Sequence, residues 1–421
     1  MGVNSNGTIM MDQGVFENLG SVTWDTTAKT TGFTAVSGNG YFVNTTSGAI
    51  TVTLPSSPSA GDVVGIKDYA NTADTNAITI GRNGSNIDGV ANDFTITTEG
   101  LSALLVYVDA TKGWLITNSS QASDITENVL YVAATGGTIT TSGDYKIHTF
   151  TGPGTFTVTC SGNPAGSSTV DYMVIAGGGG GSGGNVAGGG AAGGYRESKA
   201  AGAPWSASPL ATPSSLPVSV TGYPVTVGGG GSGGTGPIST AVGGNGSNSV
   251  FSSITSTGGG GGGSHCGPNG IGRPGGSGGG NSYQKNSPPV GNGNTPPVSP
   301  PQGNPGGTGL DGGNYGGGGG GGAGGSGQPG CAGNGGGNGG PGTTSSINAS
   351  PVTRAGGGGG ASENPGEPGI GQAGGGNGGV PNSRPGKPAT IANVGSGGGG
   401  AACAPGGNAS AGIVIIRYKY Q

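Results

Sequence analysis

Few residues in this chain are placed to make or break bonds. Of the two histidines, His148 lies in the alternating stretch Tyr145–Phe150 and reads as a structural strand residue. His265 stands beside Cys266, and two adjacent donors without companions do not make a metal site. Glu363 and Glu367 are four apart at the edge of a glycine run. A glycosidase needs two carboxylates flanking a bond, and these two read as solvated loop charges. Gly386-Lys387 is followed by Pro388, whereas a phosphate loop needs Ser or Thr there, on a strand-to-helix turn. Cys160, Cys266, Cys331 and Cys403 are scattered with no C-x-x-C pair, and read as free thiols buried in tight packing. The expectation is a non-enzyme with no cofactor and no metal.

Recognition is the chemistry better provided for. Asn281-Ser282-Tyr283-Gln284-Lys285-Asn286 opens a Pro-rich interruption that ends near Gln302; Arg354 follows Ser350-Pro351-Val352, and Arg384 and Lys387 flank Pro385. Loops on a rigid frame vary without unfolding it, so binding tends to be placed there. The candidate receptor contacts are therefore Tyr283, Gln284, Lys285, Arg354, Arg384 and Lys387. The tyrosine offers an aromatic face, and the cations suit anionic polysaccharide or lipid phosphate.

What must position those loops is a glycine-rich body. From Gly303 to Gly342 every third residue is glycine, with Tyr315 the one exception. Three residues per turn is the repeat of the polyproline II helix, which makes no internal hydrogen bonds and must pair its backbone with neighbours. Glycine removes the Cβ that would hold those neighbours apart. Similar runs fall at about 177–194, 228–236, 258–280, 356–379 and 395–407, and suggest several such helices bundled with connectors at their ends.

Glycine supplies 108 of 421 residues, yet the period is too short and too glycine-rich in its other positions for a collagen triple helix. Ordinary strand signals cluster before residue 176. Ala49–Leu54 alternates at period two, and further short strands read from Val63–Ile66, Leu101–Val108, Tyr145–Phe150 and Val170–Ile175. The run Gly412–Tyr420 reads as one strong terminal strand that needs a partner. The fold expected is all-β: antiparallel β-sandwich modules with an inserted polyglycine II bundle. The expected divisions are a docking segment (1–20), a β module (21–118), a linker (119–127), a β frame (128–176 with 412–421) and the glycine insertion (177–411).

Net charge is −4 with 8% charged residues, so no basic stripe for nucleic acid is present. No apolar run has membrane-spanning length, and the polar start is not a signal peptide.

Two sets of residues carry a resemblance. Tyr41–Leu54, Val106-Tyr107-Val108-Asp109 and Lys112-Gly113-Trp114 resemble a β module frequent in phage tail fibres, marine and enterobacterial. His148–Thr151, Gly154–Val158, Asp171–Gly179, Gly193–Arg196 and Gly412–Tyr418 resemble the glycine-rich fibre domain. Together they cover roughly residues 35 to 421. In composition the insertion is also similar to the polyglycine-helix adhesins of T-even-like phages. The resemblance implies a virion protein of the tail, acting extracellularly and binding a bacterial surface polysaccharide or outer-membrane receptor. It also implies an upstream tail or baseplate partner and a homotrimer. The alternatives are a structural filament subunit and, more remotely, an ice-binding protein, which would need a period-three Thr or Ala row that the sequence lacks.

Overall fold

A computed structural model describes residues 22–117, 129–236, 241–265, 267–312, 315–331, 335–363, 367–380 and 384–421, with backbone alone for short strands nearer the N-terminus and at 125–127. Most of the expected docking segment and of the expected linker lie outside the described residues. The chain divides into two compact units, Met1–Leu130 and Tyr131–Gln421. No α-helix occurs among the described residues, and the fold is all-β.

In the first unit, β1 (Gly2–Val3), β2 (Ile9–Met11) and β3 (Gly14–Val15) pair antiparallel. The chain then alternates between two five-stranded sheets. β4 (Thr23–Lys29), β6 (Asn39–Val43) and β8 (Val63–Asp68) lie side by side in one sheet, and β5 (Phe33–Thr34), β7 (Ile50–Thr53) and β9 (Ile78–Gly81) in the other. These six strands pair parallel, not antiparallel as expected. Alternating burial reports a half-buried strand, not its direction. Here each short connection crosses to the opposite sheet, so each sheet receives every second strand with the same polarity. β10 (Phe94–Ile96), β11 (Ser102–Asp109), β12 (Gly113–Ile116) and β13 (Ile125–Glu127) then close both sheets antiparallel. Val43, Val52, Leu54, Val64, Ile66, Ile78 and Ile80 fill the space between the sheets.

The second unit is built on a pair of sheets. One runs β14 (Val132–Thr135), β17 (Gly154–Ser161), β22 (Gly222–Thr226), β23 (Ser249–Phe251), β24 (Ile254–Ser256). The other runs β15 (Thr138–Ser142), β16 (Tyr145–Phe150), β27 (Ile413–Lys419), β18 (Thr169–Ile175), β19 (Tyr195–Ser198), β20 (Ala211–Thr212). β21 (Leu216–Pro217) pairs with the start of β18, and β25 (Thr343–Ser345) with β26 (Val352–Arg354). The C-terminal strand β27 thus sits between β16 and β18, so the glycine-rich chain leaves and re-enters on neighbouring strands. Val174, Val414 and Ile416 face the sandwich core with Phe156 and Phe251. Met173, Ile175, Ile413 and Ile415 face the other way, against Ala192, Ala323, Ile347 and Ala355 of the glycine-rich part. Burial on both faces is why these two strands read as continuous apolar runs.

The glycine runs pair by a three-residue rule. Along 317–322, Gly317 and Gly320 donate N–H to Ala361 and Gly358; Gly318 and Gly321 donate to Asn281 and Gly278; Gly319 and Gly322 donate to Gln328 and Gly325. The carbonyls of the same run accept from three further segments, 189–192, 304–307 and 337–340. One extended segment is therefore surrounded by six, with no hydrogen bond inside itself, which is the pairing a three-residue helix of bare backbone requires. A Cβ on any residue of this run would meet a neighbouring carbonyl oxygen at 2.0–2.2 Å. All six positions must be glycine. In 336–342 only two of three faces are covered, and the third carries the exposed Asn338 and Pro341.

Asparagine amides complete the array where a neighbouring segment is missing. Asn245 and Asn248 accept N–H from Gly261 and Gly258, keeping the three-residue step. Asn281, fully buried, accepts from Gly272 at 3.0 Å and donates to the carbonyls of Lys285 and Pro289. Asn281→Ala strands those groups, and should cost about 1–3 kcal/mol in thermal unfolding, while leaving the far side of the array intact.

Candidate receptor-contact end

The hydrogen-bond register sorts the connectors between two ends of the array. Gly177 follows β18 directly, and Gly194 leads back into β19, so these mark the frame end. Gly179 bonds Ala191 and Ser182 bonds Gly188, which puts the turn around 184–186 at the far end. From there the pairing propagates. Gly188 to Gly263, Tyr283 to Val186, Ala361 to Ala187, Ser362 to Gly379 and Cys403 to Gly184 carry the turns after 263, 282, 361, 379 and 402 to the same far end. The turn that includes Tyr315 joins them, since Gly317 bonds Ala361. Tyr315 breaks the glycine beat because the array stops there and the chain reverses.

The single Pro-rich interruption read from the sequence is two turns at opposite ends. Residues 284–289 turn at the far end, and Gly291–Asn294 run back inside the array, where Gly291 and Asn292 accept N–H from Gly306 and Gly275. Asn294 then bonds Gly276, and 295–301 turn at the frame end.

The six candidate contacts separate accordingly. Gln284 and Arg384 are exposed at the far end, and Lys285 is half-buried at the same end. Lys387 is exposed on the flank, where its backbone pairs with Asn377 and Gly399. Tyr283 does not offer a free aromatic face. It is 7% exposed, its ring 4.7 Å from that of Tyr315 and 5.9 Å from that of His265, packed with Val186, Ala361 and Ala402. Its hydroxyl accepts from the Gln284 amide at 2.9 Å. Burial pushes the Tyr283 phenol above its ordinary value. Packing explains the reversal: the aromatic rings plug the end of an array built mostly of bare backbone and small side chains.

Arg354 is a second correction. It is 4% exposed, at the frame end on β26, near Tyr195 and Glu197. Burial lowers its pKa, while the negative potential of Tyr195 and Glu197 works the other way. Glu197 is itself fixed by Tyr195 Oη at 3.1 Å, the Ser208 N–H at 2.9 Å and Ser345 Oγ. This buried group ties β19 to the β25–β26 hairpin and leaves Arg354 nothing to present to a receptor. Of the described thiols, all free as expected, Cys331 and Cys403 are exposed at the far end and Cys160 is half-buried, not enclosed in tight packing; Cys266 lies outside the described residues.

Sequence reasoning took Glu363 and Glu367 as solvated loop charges, not as contacts, and did not single out Asp311. Asp311 and Glu367 are exposed, and Glu363 lies close enough to act on the Tyr283 phenol. The far end therefore mixes two cations with three carboxylates. Proximity to a turn of the array was the available signal.

A glycine-rich sequence profile, described as a glycine-rich domain, matches residues 149–419. The chain belongs to the glycine-rich domain family. The match begins in β16 and ends in β27, so the family unit takes in strands of the frame together with the array they bracket. No curated protein matches the chain.

Proposed function

We propose that this glycine-rich domain protein is a phage tail fibre or its distal adhesin, and that it binds a bacterial surface receptor non-covalently through the far-end turns. The observation that carries the reading is the register itself. It gathers turns that are hundreds of residues apart in sequence onto one end of a rigid array, which is how a fold presents a variable surface on an invariant support. The resemblance of the frame residues to tail-fibre domains points the same way, and with it go an upstream tail partner and a homotrimer. With Gln284, Lys285 and Arg384 at the same end of the array as Asp311 and Glu367, the surface suits a hydroxyl-rich polysaccharide of mixed charge better than a uniformly anionic one.

The test is binding of the labelled full chain to a panel of bacterial strains. The comparison is a variant carrying Gln284→Ala, Lys285→Ala and Arg384→Ala, which keeps the backbone carbonyls that Asn281 holds. Strain-selective binding should fall by about tenfold or more, equivalent to ~1.4 kcal/mol, at unchanged thermal midpoint. Strain-selective binding that survives this replacement, or self-assembly of the pure protein into filaments without cell binding, would overturn the proposal.

A further inference from the structure

At the frame, away from the far-end turns, the face of the β16–β27–β18 sheet that the glycine array covers runs out at Arg417, and a cavity of about 300 Å³ opens there. Tyr145, Asp171, Ser215, Arg417 and Lys419 are among the residues that line it. Asp171 and Arg417 are cross-strand partners, 5% and 3% exposed, yet no ion pair within 4.0 Å joins them. Each is held by other groups. Asp171 Oδ1 accepts from the Ala200 N–H at 2.8 Å, from Ser215 Oγ at 2.5 Å and from Ser198 Oγ. The Arg417 guanidinium stacks 4.8 Å over the Tyr145 ring and donates Nη1 to the Ile347 carbonyl at 3.1 Å. Its Nε is buried and has no partner.

A carboxylate and a guanidinium buried side by side but not paired are costly, because desolvation is not repaid by their attraction. A fold keeps such an arrangement when a third group completes both. Lys419 also lines the cavity, its ammonium 5.5 Å over the ring of Tyr131, which does not line it; the lining residues thus carry one more positive charge than negative. A small carboxylate would suit the two cations, and hydroxyls on the same molecule would suit Asp171 and the serines. The volume sits at the lower end of ligand sites, the size of one sugar ring.

We infer that this cavity binds a single carboxylated sugar unit, its carboxylate at Arg417 and Lys419 and its hydroxyls at Asp171. The inference is independent of the far-end reading and concerns a different part of the unit. Titration of the full chain with sodium glucuronate, followed by saturation-transfer NMR, should give saturable binding with a Kd of about 1 mM or tighter. Glucose and acetate should each bind at least about tenfold more weakly. Lys419→Ala and Asp171→Asn should each weaken glucuronate about fivefold or more in a chain that still unfolds cooperatively. No saturable glucuronate binding, acetate binding as tight as glucuronate, or unaltered binding in both folded variants would each overturn it.

Discussion

Gly320→Ala should unfold or severely loosen the glycine array, whereas Gly229→Ala should leave it intact. A Cβ at Gly320 would lie 2.0 Å from the carbonyl oxygen of Gly190 and 2.4 Å from its carbon. Both obstacles are backbone, in a segment itself held by neighbours, so no rotamer change relieves the contact. Overpacking of ordinary cores costs about 1–3 kcal/mol because side chains can shift; here the cost should be at or above the top of that range. At roughly 2–4 °C per kcal/mol, the thermal midpoint of the second unit should fall by about 6 °C or more. Gly229 belongs to an edge run, and nothing lies within 4 Å of its would-be Cβ. Alanine there restricts the unfolded chain without a clash and should leave stability unchanged or raise it by up to about 1 kcal/mol. The pair separates a packing requirement from a general preference for glycine. Equal, small effects at both sites would mean that the runs do not pack as the hydrogen-bond register describes.

The same contrast shows how much of the structure was legible beforehand. The three-residue beat of 303–342 announced a backbone that pairs with neighbours, and its one interruption, Tyr315, marks a chain reversal. The all-glycine run 317–322 is enclosed on all faces and Asn338 and Pro341 mark an open face, but the converse fails at 228–231, where Gly229 lies in an all-glycine run and is exposed. That much follows from the size of a side chain. The terminal run Ile413–Tyr418 was legible as a strand because burial on both faces demands an unbroken apolar sequence. Strand direction in the first unit was not legible, since alternation at period two is identical in parallel and antiparallel ladders. The candidate site was legible only by turn. Tyr283 and Arg354 have the composition of contact residues, but whether a side chain points out or plugs the array depends on which segments meet. Gln284, Lys285 and Arg384 emerge at the far end because pairing set by residues far away in sequence puts their turns there.

Tyr418→Phe should be the most damaging conservative change in the frame, and it should act together with pH. His148 and Tyr418 form a closed relay in the sandwich core. The Ala134 N–H donates to Tyr418 Oη at 3.1 Å, and His148 Nδ1 lies 2.7 Å from the Gly136 carbonyl, which can only accept. Nδ1 therefore carries the proton, and Nε2 accepts from the Tyr418 hydroxyl at 3.1 Å. Burial keeps that hydroxyl protonated, its pKa pushed up to about 12. Removing it strands the Ala134 N–H and His148 Nε2, each at about 1–3 kcal/mol, so a loss of about 2–6 kcal/mol is expected in denaturation of Tyr418→Phe. The relay works only with a neutral imidazole. Burial is the main cause of a His148 pKa below the ordinary 6.5, with a smaller push from Lys146, opposed by the Gly136 hydrogen bond. The unfolded chain therefore binds this proton more readily than the folded one. Its stabilising contribution is complete above pH 6.5 and is lost as pH falls from 6.5 towards the folded value. Asp171 runs the other way: burial raises its pKa above 3.8, so its contribution is present at low pH and lost as pH climbs from 3.8 through the folded value. Thermal midpoints of the natural chain and of His148→Gln, compared from pH 7.5 down to 5.5, isolate the histidine. The natural chain should lose stability across that interval and His148→Gln should lose distinctly less. Parallel pH profiles would mean that His148 titrates normally and the relay is not closed.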